Sequence, residues 1–307
     1  MRRSREVGGQ GRVSGRASPG SGLSRCSGSA PQGKAWWATL SLVVPVLGLV
    51  VGQTVLRSRR FGGSSALALA PVDVTVAPSG GALFSETAVE MAAFGDSAMA
   101  GVGVHHVEDS LPVQLAQRVA DSTGRRVHVV GYARSGARTI DVLTRQVPGV
   151  RREPDVSVLL VGTNDVTGVT TPVTLARSSR ALLDALESLG APVVMSSLPE
   201  FRAMRLVPHP LMEAVLGYGA VVGAVQRHAA AMRPLVRLVD VVGAVGPEFV
   251  NDEAMMSADS FHPSAAGYGR IADALVPAVL SVLETAQPLG QQGGPWPAYA
   301  GDRNEEL

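Results

Sequence analysis

Between residues 88 and 285, short apolar runs alternate with longer stretches whose apolar residues recur at helical spacing. Five runs predict strands: Ala88–Ala93, Arg126–Val130, Asp155–Val161, Pro192–Met195 and Leu235–Val239. The third is apolar almost without interruption, as expected of a strand covered on both faces. The stretches between them predict helices at Leu111–Val119, Leu175–Leu189, Met212–Met232 and Ala265–Leu283. Asp109-Ser110 supplies a cap ahead of the first helix and Gly190 a stop after the second. Strands alternating with helices predict a mostly parallel sheet with helices on both faces. Right-handed crossovers then place the strand C-termini along one edge, where functional residues should collect.

The pattern differs outside this body. Residues 1–34 are rich in Gly, Ser and Arg and carry too little apolar surface to fold, so they are expected to be a disordered basic tail. Residues 35–56 run without a charge, which meets the roughly 20 residues a membrane-spanning helix needs. Trp36 and Trp37 suit the interface, and Pro45 would mark a kink. Cations flank the run on both sides: Arg16, Arg25 and Lys34 before it, Arg57, Arg59 and Arg60 after it. Arg2, Arg3, Arg5 and Arg12 tilt the balance toward a cytoplasmic N-terminus. The expectation is a single-pass anchor in the cell membrane with the folded body outside the cytoplasm. A secretory signal cleaved near Ala66-Leu67-Ala68 or Ala68-Leu69-Ala70 is the alternative. Residues 57–86, rich in Gly, Ser, Ala and Pro, are expected to be a linker, and 287–307 a disordered tail. The folded domain is then 87–286.

Composition narrows the chemistry. A chain of 307 residues could hold one large domain or two modest ones, its 46% hydrophobic content is enough for a sizeable core, and the formal net charge of +1 gives no reason to expect a nucleic-acid partner. Cys26 is the only cysteine, which excludes an intramolecular disulfide, and no Cys/His cluster stands at metal spacing. No metal and no organic cofactor is expected.

Four short stretches fall at the predicted strand ends or ahead of the last helix. Phe94-Gly95-Asp96-Ser97 follows the first strand, and Gly95 allows a sharp turn that exposes the Ser97 hydroxyl and N–H to one crevice. Ser135-Gly136 follows the second strand, Gly162-Thr163-Asn164-Asp165 the third, and Asp259-Ser260-Phe261-His262-Pro263 precedes the last helix. Taken singly, each has a plain reading as a cap, an Asx turn, a loop glycine or a surface histidine. Together and in this order they resemble the four blocks of the SGNH hydrolases, the GDSL lipase/esterase family, over residues 88–285. The sequence departs from that pattern at Ala98, where leucine is usual, and at Gly131, where the second block often opens on asparagine. Both departures bear on pocket shape and substrate more than on reaction class.

The resemblance implies a three-layer α/β/α fold of flavodoxin-like type and cleavage of carboxylic esters through an acyl-enzyme. A serine hydroxyl is a weak nucleophile until a neighbouring base takes its proton. Ser97 is the candidate nucleophile, His262 the base, and Asp259, three residues earlier, the group that orients the imidazole. The N–H groups of Ser97 and Gly136 and the side-chain amide of Asn164 are the candidate oxyanion donors, each worth roughly 3–4 kcal/mol in the transition state. Asp96 and Asp165 are expected to shape loops, His105-His106 to be wall or surface, and Gly101-Val102-Gly103 is too little for a phosphate loop. The segment 201–234, with Phe201, Met204, Leu206, Pro208, Pro210 and Leu211, is either a wall over the site or ordinary helix packing. Expected partners are a small-molecule, lipid or glycan ester and the membrane. Deacetylation of, or acyl transfer to, an envelope glycan or lipid is an alternative use of the same site, and a non-catalytic binding module on the same fold is a second.

Overall fold

The structure is a computed structural model that describes residues 71–81, 85–205 and 207–286. The tail at 1–34, the apolar segment 35–56 and the tail at 287–307 lie outside the described residues. Six strands form one sheet: β1 (Asp73–Val76), β2 (Ser85–Gly95), β3 (Arg125–Gly131), β4 (Val156–Leu160), β5 (Val193–Ser196) and β6 (Val236–Val239). Their spatial order is β1-β3-β2-β4-β5-β6. Five strands run parallel, and β1 pairs antiparallel with β3, Asp73 opposite Val130.

Counted over the parallel strands alone, this is the flavodoxin-like order, and its switch point falls between β2 and β4. Chains leaving those two strands go to opposite sides and open a crevice beyond their C-termini. Ser97 follows β2 and Asn164 follows β4, so the topology sets both at that crevice.

Period-two alternation divides the strand side chains between two cores. Val89, Met91 and Ala93 of β2 and Val156, Val158 and Leu160 of β4 pack in one cluster with residues of α1 (Leu111–Thr123), α5 (Val241–Asn251) and α6 (Ala265–Ala286). Ala92 and Phe94 of β2 and Leu159 of β4 pack in the other, with α3 (Pro172–Glu187) and α4 (Leu211–Ala231). Every residue of β4 is buried, which explains its uninterrupted apolar run. A five-residue helix, α2 (Thr163–Thr167), follows β4 directly.

Helix ends follow local chemistry. Gly124 closes α1 in the left-handed conformation at φ 64°. Thr171 caps α3 by accepting from the Thr174 N–H, with Pro172 in the first turn, so the helix begins three residues earlier than its apolar spacing shows. Ser110 occupies the cap position of α1, but its hydroxyl donates to the Val107 carbonyl instead of accepting from the helix.

Two features depart from expectation. Asp73–Val76, assigned by composition to the linker, is β1, and β2 begins inside the same stretch at Ser85. Alternating exposed and half-buried positions mark β1 as an edge strand, too short and too polar to stand out beside Pro71 and Pro78. The helix α5 is also absent from the sequence pattern, because Gly243, Gly246 and Pro247 interrupt it; Asp240 caps it by accepting from the Gly243 N–H at 3.0 Å. The last helix, α6, is long and apolar enough to cross a membrane on length and composition, but Tyr268, Leu275 and Val279 face the core with no exposure.

Candidate active site

The turn after β2 is forced by packing. A Cβ on Gly95 would sit 2.1 Å from the Leu160 carbonyl oxygen, and its φ of 152° disfavours any side chain. Glycine lets β2 lie against β4 up to the last residue, and the Asp96 N–H then donates to the Leu160 carbonyl at 3.2 Å. The next turn is tight: the Ala100 N–H donates to the Asp96 carbonyl at 3.0 Å and the Val102 N–H to the Ser97 carbonyl at 3.0 Å. Ser97 is left half-buried at the crevice.

Asp259 and His262 arrive on one loop just before α6. Asp259 Oδ1 accepts from the Ser257 hydroxyl at 2.8 Å and from the N–H groups of Phe261 and His262 at 2.9 and 2.8 Å. Its Oδ2 lies 2.6 Å from His262 Nδ1. The loop folds back through Ser260, a non-glycine residue at φ 54°, and through the Ser257 N–H, which donates to the His262 carbonyl at 2.8 Å. The imidazole reaches across to Ser97, with Nε2 2.9 Å from Oγ. Burial alone would raise the Asp259 pKa, but hydrogen bonds from the His262 ring and from the loop N–H groups hold it well below the usual carboxylate range. Asp259 is therefore a carboxylate throughout the neutral range.

The second and third blocks meet at Asn164. Its Nδ2 donates to the Ala137 carbonyl at 3.1 Å and points toward Asp96 Oδ2 at 3.5 Å, which ties the three loops together. Asp165 Oδ2 accepts from both the N–H and the hydroxyl of Thr139, at 2.9 and 2.7 Å, and fixes the second loop from below. Gly136 is exposed at φ 79°, with open space where a Cβ would stand. Among the described residues no hydrogen bond takes up the Ser97 or Gly136 N–H.

Asp96 is the unusual carboxyl here. It is 2% exposed, and burial pushes its pKa up to about 6 despite the Ala98 N–H and the nearby His262, with the neighbouring Asp165 adding to the rise. It shapes the turn, as expected, through the 3.2 Å bond that Oδ1 accepts from the Ala98 N–H.

Sequence reasoning missed several supporting residues. Gly103, dismissed as part of a phosphate loop, permits a close crossing: a Cβ there would stand 2.6 Å from the Pro263 carbonyl oxygen and 3.0 Å from His262 Cβ. The buried Tyr268 hydroxyl of α6 donates to the Val102 carbonyl and pins that crossing. Gln146, 1% exposed, bonds both backbone groups of Gly95. Gln226, 2% exposed, donates to the Val161 carbonyl at 2.8 Å, in space that Gly162 leaves by lacking a Cβ. Neither glutamine lies in one of the four blocks, and nothing in the residue pattern marks it. His105 and His106 are exposed. Phe201, Met204 and Met212 are buried in a third apolar cluster, and Phe261, edge-on to the His262 ring at 4.9 Å, packs against it. The start of segment 201–234 is thus helix packing that also backs the histidine loop.

A hydroxyl, an imidazole and a carboxylate in line at the switch point of such a sheet is the arrangement of a serine hydrolase. Residues 93–270 match the GDSL-like Lipase/Acylhydrolase family, and the chain belongs to that family. It is 30% identical over 203 residues to the GDSL-like esterase Rv1075c of Mycobacterium tuberculosis, a match covering 64% of this chain and 63% of that protein. The chain thus spans less than two thirds of this relative's length. Its fold is similar to the crystal structure of LAE5, an α/β hydrolase from the metagenome of Lake Arreo, Spain (TM-score 0.51, 20% identity, 67% of this chain and 100% of that one). It is similar also to the psychrotrophic esterase EstA from Pseudoalteromonas sp. (TM-score 0.51, 16% identity, 64% and 98%).

Proposed function

We propose that the chain is a serine hydrolase that cleaves carboxylic esters through an acyl-enzyme. The observation that carries this reading is the continuous relay from Ser97 Oγ through His262 to Asp259, with contacts of 2.9 and 2.6 Å. His262 Nδ1–H donates to the Asp259 carboxylate, which leaves Nε2 as the acceptor facing the hydroxyl. Ser97 Oγ attacks the acyl carbon while Nε2 takes its proton. The carbonyl oxygen becomes an oxyanion that accepts from the Ser97 and Gly136 N–H groups and the Asn164 amide. The carbon–alkoxide bond then breaks, and His262 returns the proton to the leaving alcohol. Water repeats the sequence on the acyl-serine, giving the acid and free Ser97. The chemistry needs no metal or cofactor.

The apolar segment 35–56 supports a further part of the reading, a domain tethered to the membrane and facing away from the cytoplasm. Ester substrates carried on lipids or envelope glycans would then be within reach. Two experiments test the proposal. Full-length Ser97→Ala in detergent should lose at least 10³-fold in turnover of short-chain p-nitrophenyl esters, and unchanged turnover rejects the mechanism. Digestion of intact cells should remove the folded body, and full protection rejects the orientation.

A further inference from the structure

We infer that Gln146 is a positioning residue for the nucleophile, acting on Ser97 through the backbone of Gly95. The inference rests on the reading of Ser97 as the attacking group. β2 has β4 on one side up to its end, where Gly95 pairs with Leu160. On its other side, pairing with β3 stops at Ala93 opposite Gly131. The last residue of the strand, two positions before Ser97, therefore lacks a strand neighbour on that side.

Gln146 takes the neighbour's place. Its Oε1 accepts from the Gly95 N–H at 3.0 Å, and its Nε2 donates to the Gly95 carbonyl at 2.7 Å. One planar amide thus reproduces the donor–acceptor pair that a strand residue would offer. The Arg134 N–H, from the loop carrying Gly136, shares the same carbonyl at 3.2 Å. The clamp therefore bears on the nucleophile turn and the second block at once.

The local helix is built to deliver this side chain. Val142–Gln146 is a π-helical stretch, in which the Val147 N–H donates to the Val142 carbonyl five residues back. Such widened turns re-aim side chains and recur at functional sites. Gln146 is long enough to cross from this turn to the strand end, and nothing in the mechanism above uses it. A strand end held on both sides fixes where the Ser97 oxygen sits relative to His262, and small misplacements of reacting groups cost large rate factors.

The test uses full-length protein in detergent, with the labelling rate of Ser97 by a fluorophosphonate as readout, since labelling needs the nucleophile and its base but no natural substrate. Gln146→Met keeps the length and removes both hydrogen bonds. Gln146→Glu keeps both only while its carboxyl is protonated, because only then can it donate to the Gly95 carbonyl. The Met variant should label at least tenfold more slowly than wild type. The rate of the Glu variant relative to wild type should fall as pH rises, because deprotonation turns a carboxylate oxygen toward the Gly95 carbonyl. A folded Met variant labelled within twofold of wild type overturns the inference. Should that variant not fold, a ratio for the Glu variant that is flat in pH overturns it instead. Wild type unlabelled at Ser97 removes the nucleophile reading and this inference with it, whereas labelled wild type beside unaffected Gln146 variants removes the inference alone.

Discussion

His262 Nε2 lies 2.9 Å from Ser97 Oγ across 165 positions of sequence, while Asp259, on the other ring nitrogen, is only three residues away. The imidazole and its carboxylate partner thus travel as one preformed loop. A single long-range meeting completes the relay, and two features secure it: Gly103, where a Cβ would clash with the histidine loop, and the Tyr268 hydroxyl that holds Val102.

Asp259→Asn should cripple the relay without unfolding it. Asp259 Oδ1 accepts three hydrogen bonds and Oδ2 one, so no orientation of an amide satisfies all four donors. With its NH₂ toward the ring, asparagine would force the wrong imidazole tautomer. A loss of roughly 10²–10⁴-fold in kcat is expected. Steady-state kinetics with a p-nitrophenyl ester checks this, and a loss of less than threefold would remove Asp259 from the mechanism.

If Asn164 donates to the oxyanion as proposed, Asn164→Ala should lower kcat roughly 10²–10³-fold with a smaller change in KM. The same substitution cuts the 3.1 Å bond to the Ala137 carbonyl, so the Gly136 loop should also loosen. Faster amide hydrogen exchange over residues 134–139 is the companion signal. Normal kcat in a variant with a loosened loop would assign Asn164 to structure alone.

Gly95→Ala should fail on stability. Its Cβ would stand 2.1 Å from the Leu160 carbonyl oxygen at a φ of 152°. Strain and overpacking together should cost roughly 3–5 kcal/mol. Urea unfolding measures it, and an unshifted midpoint means that β2 and β4 do not lie as described.

The strands and helices were legible where burial is one-sided or complete. The uninterrupted run at Val156–Leu160 announced a central parallel strand, and alternation of strand with helix announced the layers. The four blocks were legible because their residue types are restricted by chemistry. β1 and α5 were not: β1 is held by pairing with β3 more than by its own pattern, and α5 carries Gly246 and Pro247 within an apolar face. Gln146 and Gln226 were hidden for a different reason. Each acts on the backbone of a residue far away in sequence, Gly95 or Val161, and a backbone partner leaves no mark on the residue type.

His128 gives a pH-dependent term remote from the crevice. Its ring lies between Glu90, 2.6 Å from Nδ1, and Asp73 of β1, 2.8 Å from Nε2. Burial alone would lower its pKa, but the two carboxylates outweigh burial and raise it. A group with a raised folded-state pKa stabilises the fold below its unfolded value, near 6.5, and loses that contribution as pH rises through the folded value. His128→Gln should therefore destabilise the protein at pH 6 and much less at pH 9. Equal effects on thermal melting at both pH values would show that the ring is not held as an imidazolium.

Asp96 has the opposite consequence to an ordinary carboxylate. Its pKa rises from 3.8 to about 6 in the fold, because burial penalises the charged form. The folded state thus binds the proton more tightly than the unfolded chain. The contribution is fully present below pH 3.8 and is lost as pH rises through 6, until ionised Asp96 opposes folding. A shift of this size corresponds to about 3 kcal/mol. Asp96→Asn cannot ionise and can still accept from the Ala98 N–H, so it should gain stability relative to wild type as pH rises from 5 to 8. Chemical unfolding of both proteins across that range measures the gain. The same carboxylate lies close enough to His262 to favour the imidazolium that the proposed attack by Ser97 would form, and Asn164 Nδ2 points at its Oδ2. Removing the charge should therefore lower kcat at pH 8 while it raises stability. A variant more stable and equally active would leave Asp96 a shaping role only, and one with no pH-dependent gain would mean that the buried carboxyl keeps an ordinary pKa.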